Sequence, residues 1–518
     1  MTEVSLDARV KPGHDDTQPV TPAPGRDPGV DPGVHGPASR PFAGERYAVV
    51  GLGRNGLPVA HALASLGAAV EVWDDRAEAR AAAPFPLRDP ADGLAGFTAL
   101  VLSPGIPHRL PAPHEAALAA ADAGIPILSD AELLYQATRR RGSAARFVGI
   151  TGTNGKSTTT ALLHHILQSS GRDSAAGGNL GVPALALPAL GDRGVYVLEM
   201  SSYMLERLTT LRFDAAALLN LSPDHLDRHG DMAGYFAAKR HIFDRVGTAV
   251  VGIDDDATAA IAAELGAITV SGHQAADVWC EGIPASVPPS PPGLTRRSTV
   301  PPAAPCRLDP RVKPGGDEKG AGVLRDHHGP ILAMAEAPAL PGAHNAQNAA
   351  AAAALAFALG VEREAVARGI ASFPGLPHRQ QRVAAIDGVL WVNDSKATNA
   401  DAAARALACY DRIVWIAGGL AKAGGIDDLR PFFPRIAHAL LIGRDAPVLA
   451  ETLAASGVPY STPGTLETAV PQARALANRL GAEVVLLSPA CASFDQFAGF
   501  EARGERFAAL VNALRMEA

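Results

Sequence analysis

Two glycine-rich turns, VVGLGRNG (49–56) and FVGITGTNGKST (147–158), each follow an apolar run of β type and lead straight into a helical stretch. A strand that turns through glycine into a helix opens a βαβ unit, and such units give parallel sheets with helices on their faces. The rest of the chain repeats this alternation. RYAVVGLG, AAVEVWDD and ALVLSPG come first, then RFVGITG, VYVLEMSS, AALLNLS and TAVVGID, and finally VLWVND, DRIVWIAGG, HALLIGRD and EVVLLSPA. The fold class is α/β, and 518 residues exceed what one core holds, so about three domains are expected.

Residues 1–43 are rich in Pro, Gly and Asp, with DPGV in tandem, and cannot bury enough apolar surface to offset the entropy of ordering. They are expected to be a disordered tail. The domains are then 44–129, 130–375 and 376–518, the second interrupted by a low-complexity insertion at 282–320. The tail and the insertion share a sequence: DARVKPGHDD (7–16) and DPRVKPGGDE (309–318) match at seven of ten positions. We read this as a passenger element inserted twice.

The net charge is −7, so no global field recruits nucleic acid or an anionic membrane. Cys280, Cys306, Cys409 and Cys491 are scattered without a C-x-x-C pair, which fits a reducing cytoplasm. The N-terminus has no apolar core of a secretory signal. The longest apolar run, Ala349 to Val361, is too short to span a bilayer and reads as a buried helix. A cytoplasmic monomer acting on small molecules is expected.

The first turn places Gly51, Gly53 and Gly56 in G-x-G-x-x-G spacing, with Asp74 at the end of the next strand. This geometry suits a dinucleotide, with the acid on a ribose hydroxyl, but equally any ligand with a diphosphate, or a tight turn with no ligand. The second turn lacks the first glycine of the common G-x-x-x-x-G-K-[ST] pattern, since Ile150 stands there. Even so, Gly152 and Gly155 let the backbone wrap phosphates, Lys156 offers charge and Ser157 a hydroxyl for Mg²⁺. A hydride-transfer enzyme has no use for such a loop, whereas an ATP-using one does.

Glu199 ends the apolar run VYVLE, at the sheet edge where ligands gather and where an acid can hold Mg²⁺. LSPDHLDRHG (221–230) follows as a dense polar cluster. His225 and His229, at i, i+4 spacing with Glu199 as a third ligand, leave a zinc reading open. Spacing alone puts Lys239 on the solvent face of an amphipathic helix.

These stretches, together with GGNLGVPAL, AAKRHIF, HNAQNAAAA, GLPHR, NDSKATN and LLSPACASFDQF, resemble the Mur ligases of peptidoglycan synthesis, in order, from about residue 45 to 515. NDSKATN and SPACASFDQF resemble the branch that adds D-glutamate to UDP-N-acetylmuramoyl-L-alanine. The resemblance implies a Rossmann-like UDP-binding domain, a central ATPase with a parallel sheet and a Rossmann-like amino-acid-binding domain. The family's shortened T-G-T-x-G-K-[ST] loop also accounts for the missing glycine.

By this resemblance Arg54, Asn55, Asp74, Arg76, Ser103, Pro104, Gly105 and Asn179 bind the UDP substrate. The loop Gly152, Thr153, Asn154, Gly155, Lys156, Ser157 and Thr158 holds ATP, with Asn345 and Asn348 near adenine, Arg379 on the phosphates and Asp394 on the ribose. Two Mg²⁺ ions are implied, on Ser157, Glu199, His225 and Lys239, the last carbamylated so that a cation becomes an anionic ligand. Lys396, Thr398, Lys422, Ser493 and Phe500 are implied for D-glutamate. AGGLAKAGG departs from the family's usual context around Lys422. A ligase for another amino acid, a dehydrogenase using the first turn, and a slow nucleotide switch are the rival readings.

Overall fold

A computed structural model describes residues 40–179, 181–283, 322–422 and 424–516. They form three sheets. The first holds β1 (Arg46–Val50), β2 (Ala69–Trp73), β3 (Ala99–Leu102) and β4 (Ile127–Leu128), all parallel, in the order β2-β1-β3-β4.

The second sheet contains β5 (Arg146–Thr151), β6 (Ser174–Gly178), β7 (Val195–Glu199), β8 (Phe213–Leu218), β9 (Val246–Gly252), β10 (Ile268–Ser271), β11 (Val278–Glu281), β12 (Val323–Asp326) and β13 (Gly329–Ala333). Its order is β13-β12-β11-β10-β9-β8-β5-β7-β6. The third has β14 (Gln381–Ile386), β15 (Val389–Asn393), β16 (Ile413–Gly418), β17 (Ile436–Ile442), β18 (Tyr460–Gly464) and β19 (Val484–Leu487), ordered β14-β15-β19-β16-β17-β18.

The expected parallel sheets hold with one qualification. β12–β13 and β14–β15 are antiparallel because the turn joining each pair is too short to hold a crossover helix, and β11–β12 is antiparallel as well. In both of the first two sheets the chain leaves one strand to one side and later returns on the other, at β1 and at β5. Each glycine turn follows such a strand, and crevices for ligands open at the carboxyl ends of strands at these reversals.

The cores follow from the strand patterns. The all-buried runs of β5, β7 and β16 have apolar residues on both faces, as parallel strands covered on both sides require. The helix Ala343–Ala358 is buried along most of its length, and its alanines let it lie close against the helix Lys156–Ser169. On the opposite face of the second sheet, Phe147, Tyr196 and Phe213 share one continuous core with Phe42, Tyr47 and Val49 of the first domain. Two further cores cover the faces of the third sheet.

Phe42 is fully buried, and its N–H donates to Leu66 O at 3.1 Å. The folded part therefore includes residues 40–43, which the sequence assigns to the tail; residues 1–39 lie outside the described residues. So do 284–321, most of the expected insertion. Their flanks meet at the tip of the β11–β12 pair, where a Cβ on Gly322 would lie 2.3 Å from Ile283 Cγ1. No helix among the described residues is long and apolar enough to cross a membrane.

Candidate active site

Thr151 ends β5, and the turn to the helix Lys156–Ser169 is made by Gly152 (φ 148°) and Gly155 (φ 84°). Gly155 is required twice over. Its φ is left-handed, and a Cβ there would sit 2.2 Å from Asn348 Oδ1. Asn348 is buried; it accepts from Thr159 Oγ1 at 3.2 Å and donates to Asn345 Oδ1 at 3.1 Å, while Asn345 Nδ2 donates to Pro341 O. These two asparagines therefore brace the loop as well as lining the cleft beside it. Thr153 and Asn154 are held by Ser222 and Asn220 after β8, and Thr158 lines the same cleft. Lys156 folds back and donates to Gly152 O and Thr153 O, both at 2.9 Å. Burial and the nearby Arg379 charge hold its pKa below the lysine range, with Glu199 and Asp224 opposing.

Glu199 leaves β7 next to this loop and is 2% exposed. Its Oε1 accepts from Asn179 Nδ2 at 2.7 Å. Its Oε2 is buried without a partner, an arrangement that costs free energy unless a cation or donor completes it.

Lys239, placed on a solvent face by spacing, is in fact 2% exposed. Its ammonium donates to Gly152 O at 2.9 Å and Thr151 Oγ1 at 3.3 Å, and lies 4.8 Å from the Tyr235 ring centre. Helical spacing missed this because the helix Met232–Arg240 is covered on that side by the phosphate loop, which no local pattern reveals. Burial and the Lys156 charge push its pKa well below the lysine range. His225 takes φ 53° and faces Asp224 at 3.4 Å. Its pKa is lowered, chiefly by burial.

The zinc alternative is not assembled. His229 Nε2 is 2.9 Å from Ser202 Oγ, and no group of three His, Cys, Asp or Glu side chains among the described residues is placed to hold a metal.

The third domain closes the cleft from the other side. Arg379 Nη2 donates to Ser157 Oγ at 2.9 Å across 222 residues of sequence. Asp394 is 7% exposed and accepts from Gln380 N at 3.1 Å and Ser488 Oγ at 2.7 Å. Burial raises its pKa to about 7. Lys396, lowered by burial to about 8, stacks 3.8 Å from the Phe500 ring centre.

Thr398 follows closely, its N–H donating to Lys396 O. Ser493 is buried, Lys422 is exposed, and the loops carrying them are joined by the Leu420–Ala492 bridge. Sequence reasoning missed Arg503. It is 1% exposed and donates to Ser395 Oγ, Ser395 O and Cys491 O, so it clamps the NDSK and SPAC loops together. Its position on a long amphipathic helix gives no sign of this.

Asn55, Gly56, Ser103, Pro104 and Ser129 of the first domain line one pocket with Asp130 and Arg207 of the second. Asp74 does not offer a free carboxylate: Arg76 Nε binds Oδ1 at 3.0 Å and Leu52 N binds Oδ2 at 2.7 Å, and the Arg76 bond leads in lowering its pKa to about 2. The acid thus braces the glycine turn. Gly105 O accepts from Arg228 Nη1 at 2.8 Å. Arg207, unnoticed in the sequence, donates to Leu102 O at 2.7 Å and Ile106 O at 2.8 Å, and burial lowers its pKa to about 10. Arg54 reaches past this pocket to Glu501 Oε1 of the third domain at 3.2 Å.

The family model of the Mur ligase middle domain matches residues 150–285. The UDP-N-acetylmuramoylalanine–D-glutamate ligase of Paramagnetospirillum magneticum is 46% identical over 481 residues, 91% of this chain and 97% of the relative. The chain belongs to the Mur ligase family. The enzyme of the same name from Caulobacter vibrioides is also 46% identical, over 489 residues, covering 92% of this chain and 97% of its own. Among solved structures, UDP-N-acetylmuramate-alanine ligase from Thermotoga maritima shares the three-domain fold with a TM-score of 0.55 at 16% identity, covering 92% of this chain and all of that one. A pseudomurein peptide ligase type C from Methanothermus fervidus does so with 0.53 at 15%, covering 91% and 100%.

Proposed function

We propose that this chain is an ATP-dependent ligase that joins D-glutamate to UDP-N-acetylmuramoyl-L-alanine, as a cytoplasmic monomer in peptidoglycan precursor synthesis. The observation that carries the reading is the convergence of the phosphate loop, Arg379 and Lys396 on one cleft between the second and third domains. The two relatives of that name, nearly half identical over nine-tenths of the chain, supply the substrates.

A carboxylate is a poor electrophile, so amide formation in water needs its oxygen converted into a leaving group. Phosphoryl transfer from ATP to the alanyl carboxylate gives an acyl phosphate and ADP. The D-glutamate amine then attacks the acyl carbon, and phosphate departs with the oxygen. The protein's share is positioning and charge neutralisation. The loop amides and Lys156 hold the phosphates, and Arg379 reaches them from the third domain. Asp394 takes the ribose, and Asn345 and Asn348 support the base.

The pocket of Asn55, Ser103 and Pro104 takes the uridine diphosphate end, with Gly105 following it in the chain. Asp74, Arg76 and Arg54 are assigned to uridine diphosphate recognition, and Asn179 and His225 approach the muramoyl end. Lys396, Thr398, Lys422, Ser493 and Phe500 bind D-glutamate. Two Mg²⁺ ions would neutralise phosphate charge here, a reading supported by the unpartnered Glu199 oxygen beside the loop. Ser157 and the unpartnered Oε2 of Glu199 suit one, and Glu199, His225 and Lys239 the other. Lys239 serves as a carbamate, formed when its neutral amine adds to carbon dioxide with loss of a proton; its burial beside Lys156 favours that neutral amine.

The test is phosphate release with UDP-N-acetylmuramoyl-L-alanine, D-glutamate, ATP and Mg²⁺, with hydroxylamine as a trap. Release that depends on both substrates, together with a trapped hydroxamate, is expected. Phosphate release indifferent to D-glutamate, or greater with another amino acid, would refute the assignment.

A further inference from the structure

The cleft holds two buried polar atoms without partners, Oε1 of Gln380 and Nε of Arg405. Both residues line it with Asn154, Asn345 and Asn348. Gln380 is 8% exposed, and its φ of 43° is uncommon outside glycine, asparagine and aspartate. It is held at both ends. Its backbone N–H donates to Asp394 Oδ1, and its side-chain Nε2 is 3.2 Å from His344 Nε2. An amide nitrogen only donates, so the ring nitrogen facing it accepts; burial, with the Arg405 charge beside it, also presses His344 to about 3. The carbonyl oxygen is thereby left as the free end of the amide.

Arg405 belongs to the helix Ala400–Leu407 and lies 3.6 Å from Asp401, which accepts from Asn154 Nδ2 of the phosphate loop at 3.2 Å. Buried donors and acceptors are rarely left unpaired in a finished site, because each costs the desolvation of the group.

The two atoms present one acceptor and one donor. Adenine offers the complement: its 6-amino group donates, and the ring nitrogen beside it, N7 or N1, accepts. Hypoxanthine carries a carbonyl oxygen in place of that amine, which would oppose the Gln380 oxygen. We propose that Gln380 and Arg405 read the base of the nucleotide, Gln380 Oε1 accepting from the 6-amino group of adenine and Arg405 Nε donating to the adjacent ring nitrogen. The assignment rests on the ATP-dependent reading of the cleft and adds to it a division of labour. The second domain grips phosphates common to every nucleoside triphosphate and supports the base through Asn345 and Asn348, while the third domain reads the edge of the base.

The experiment compares ATP, ITP and 2′-deoxy-ATP with the full chain and with Gln380→Met and Arg405→Met, by kcat/KM at saturating acceptor and D-glutamate and by calorimetric binding. The wild-type chain is expected to favour ATP over ITP by at least about tenfold, the scale of one hydrogen bond with an opposed carbonyl. Gln380→Met should shrink that ratio to below about threefold while leaving the ATP to 2′-deoxy-ATP ratio unchanged. Arg405→Met should raise KM for ATP about fivefold or more with little change in kcat.

A wild-type chain that uses and binds ITP as well as ATP overturns the proposal, whatever the variants do. So does Gln380→Met altering the 2′-deoxy ratio in place of the inosine ratio, since Gln380 would then face the ribose. Binding separates this failure from that of the ligase reading: preferential binding of ATP without amide product leaves base recognition standing and removes the ligase.

Discussion

Replacing Asp394 with asparagine should stabilise the third domain, and by more at high pH. Asp394 is 7% exposed and its pKa is raised from 3.8 to about 7 by burial. Between those values the folded chain binds a proton that the unfolded chain has released, so stability falls as pH rises through this window and levels off above it. Linkage from these two values gives a penalty of about 1.7 kcal/mol at pH 5 and about 4 kcal/mol at pH 8.

Asparagine has no such penalty. Its carbonyl still accepts from Gln380 N, and Ser488, which now donates at 2.7 Å, can turn its hydroxyl to accept from the amide instead. The stability gap between Asp394→Asn and the wild-type chain should therefore widen by about 2 to 3 kcal/mol from pH 5 to pH 8. Urea unfolding followed by tryptophan fluorescence measures it, since Trp391 and Trp415 are both buried against the third sheet. A gap that stays within about 0.5 kcal/mol across that range would show that the carboxylate titrates as an ordinary one, and the reasoning from burial would fail. The same substitution should raise KM for ATP, because the amide is a weaker acceptor for ribose hydroxyls than the carboxylate.

Lys156→Ala should lower kcat by about a thousandfold or more, measured as phosphate release, since it removes the cation carried by the loop itself. Lys239→Ala should be similarly crippled and partly recover with millimolar formate or acetate, which can stand where the carbamate would; loss without rescue would leave Lys239 a packing residue. Joining Ile283 to Gly322 through a two-residue turn should keep kcat/KM within about threefold, because the flanks already touch and shortening a loop changes closure entropy only slightly. An inactive but folded deletion would give residues 284–321 a role in catalysis.

Several parts of the site were legible as local pattern. The strand, glycine turn and helix at 147–169 are fixed by an apolar run, two positive-φ glycines and a helical continuation. Glu199 sits at the carboxyl end of β7 because the apolar run stops there. Other expectations shifted once neighbours were present. Asp74 has the spacing of a ribose-binding acid, yet Arg76 and Leu52 N already occupy its oxygens. Arg54, expected at the uridine diphosphate, reaches Glu501, 447 residues away in sequence.

The sequence by itself determined what depends on near neighbours: parallel α/β domains, a phosphate-holding loop one residue short, an acid at a strand end, and the motifs shared with the Mur ligases. Tertiary structure alone decided which polar groups lose their water. Lys239 is a lysine on a helix until the loop covers it, Arg503 one more basic residue until two loops close on it, and Gln380 and Arg405 have unpaired atoms only because the domains meet around them. Desolvation and pairing are set by elements that pack together from distant parts of the chain, and periodicity along a single helix or strand has no knowledge of them.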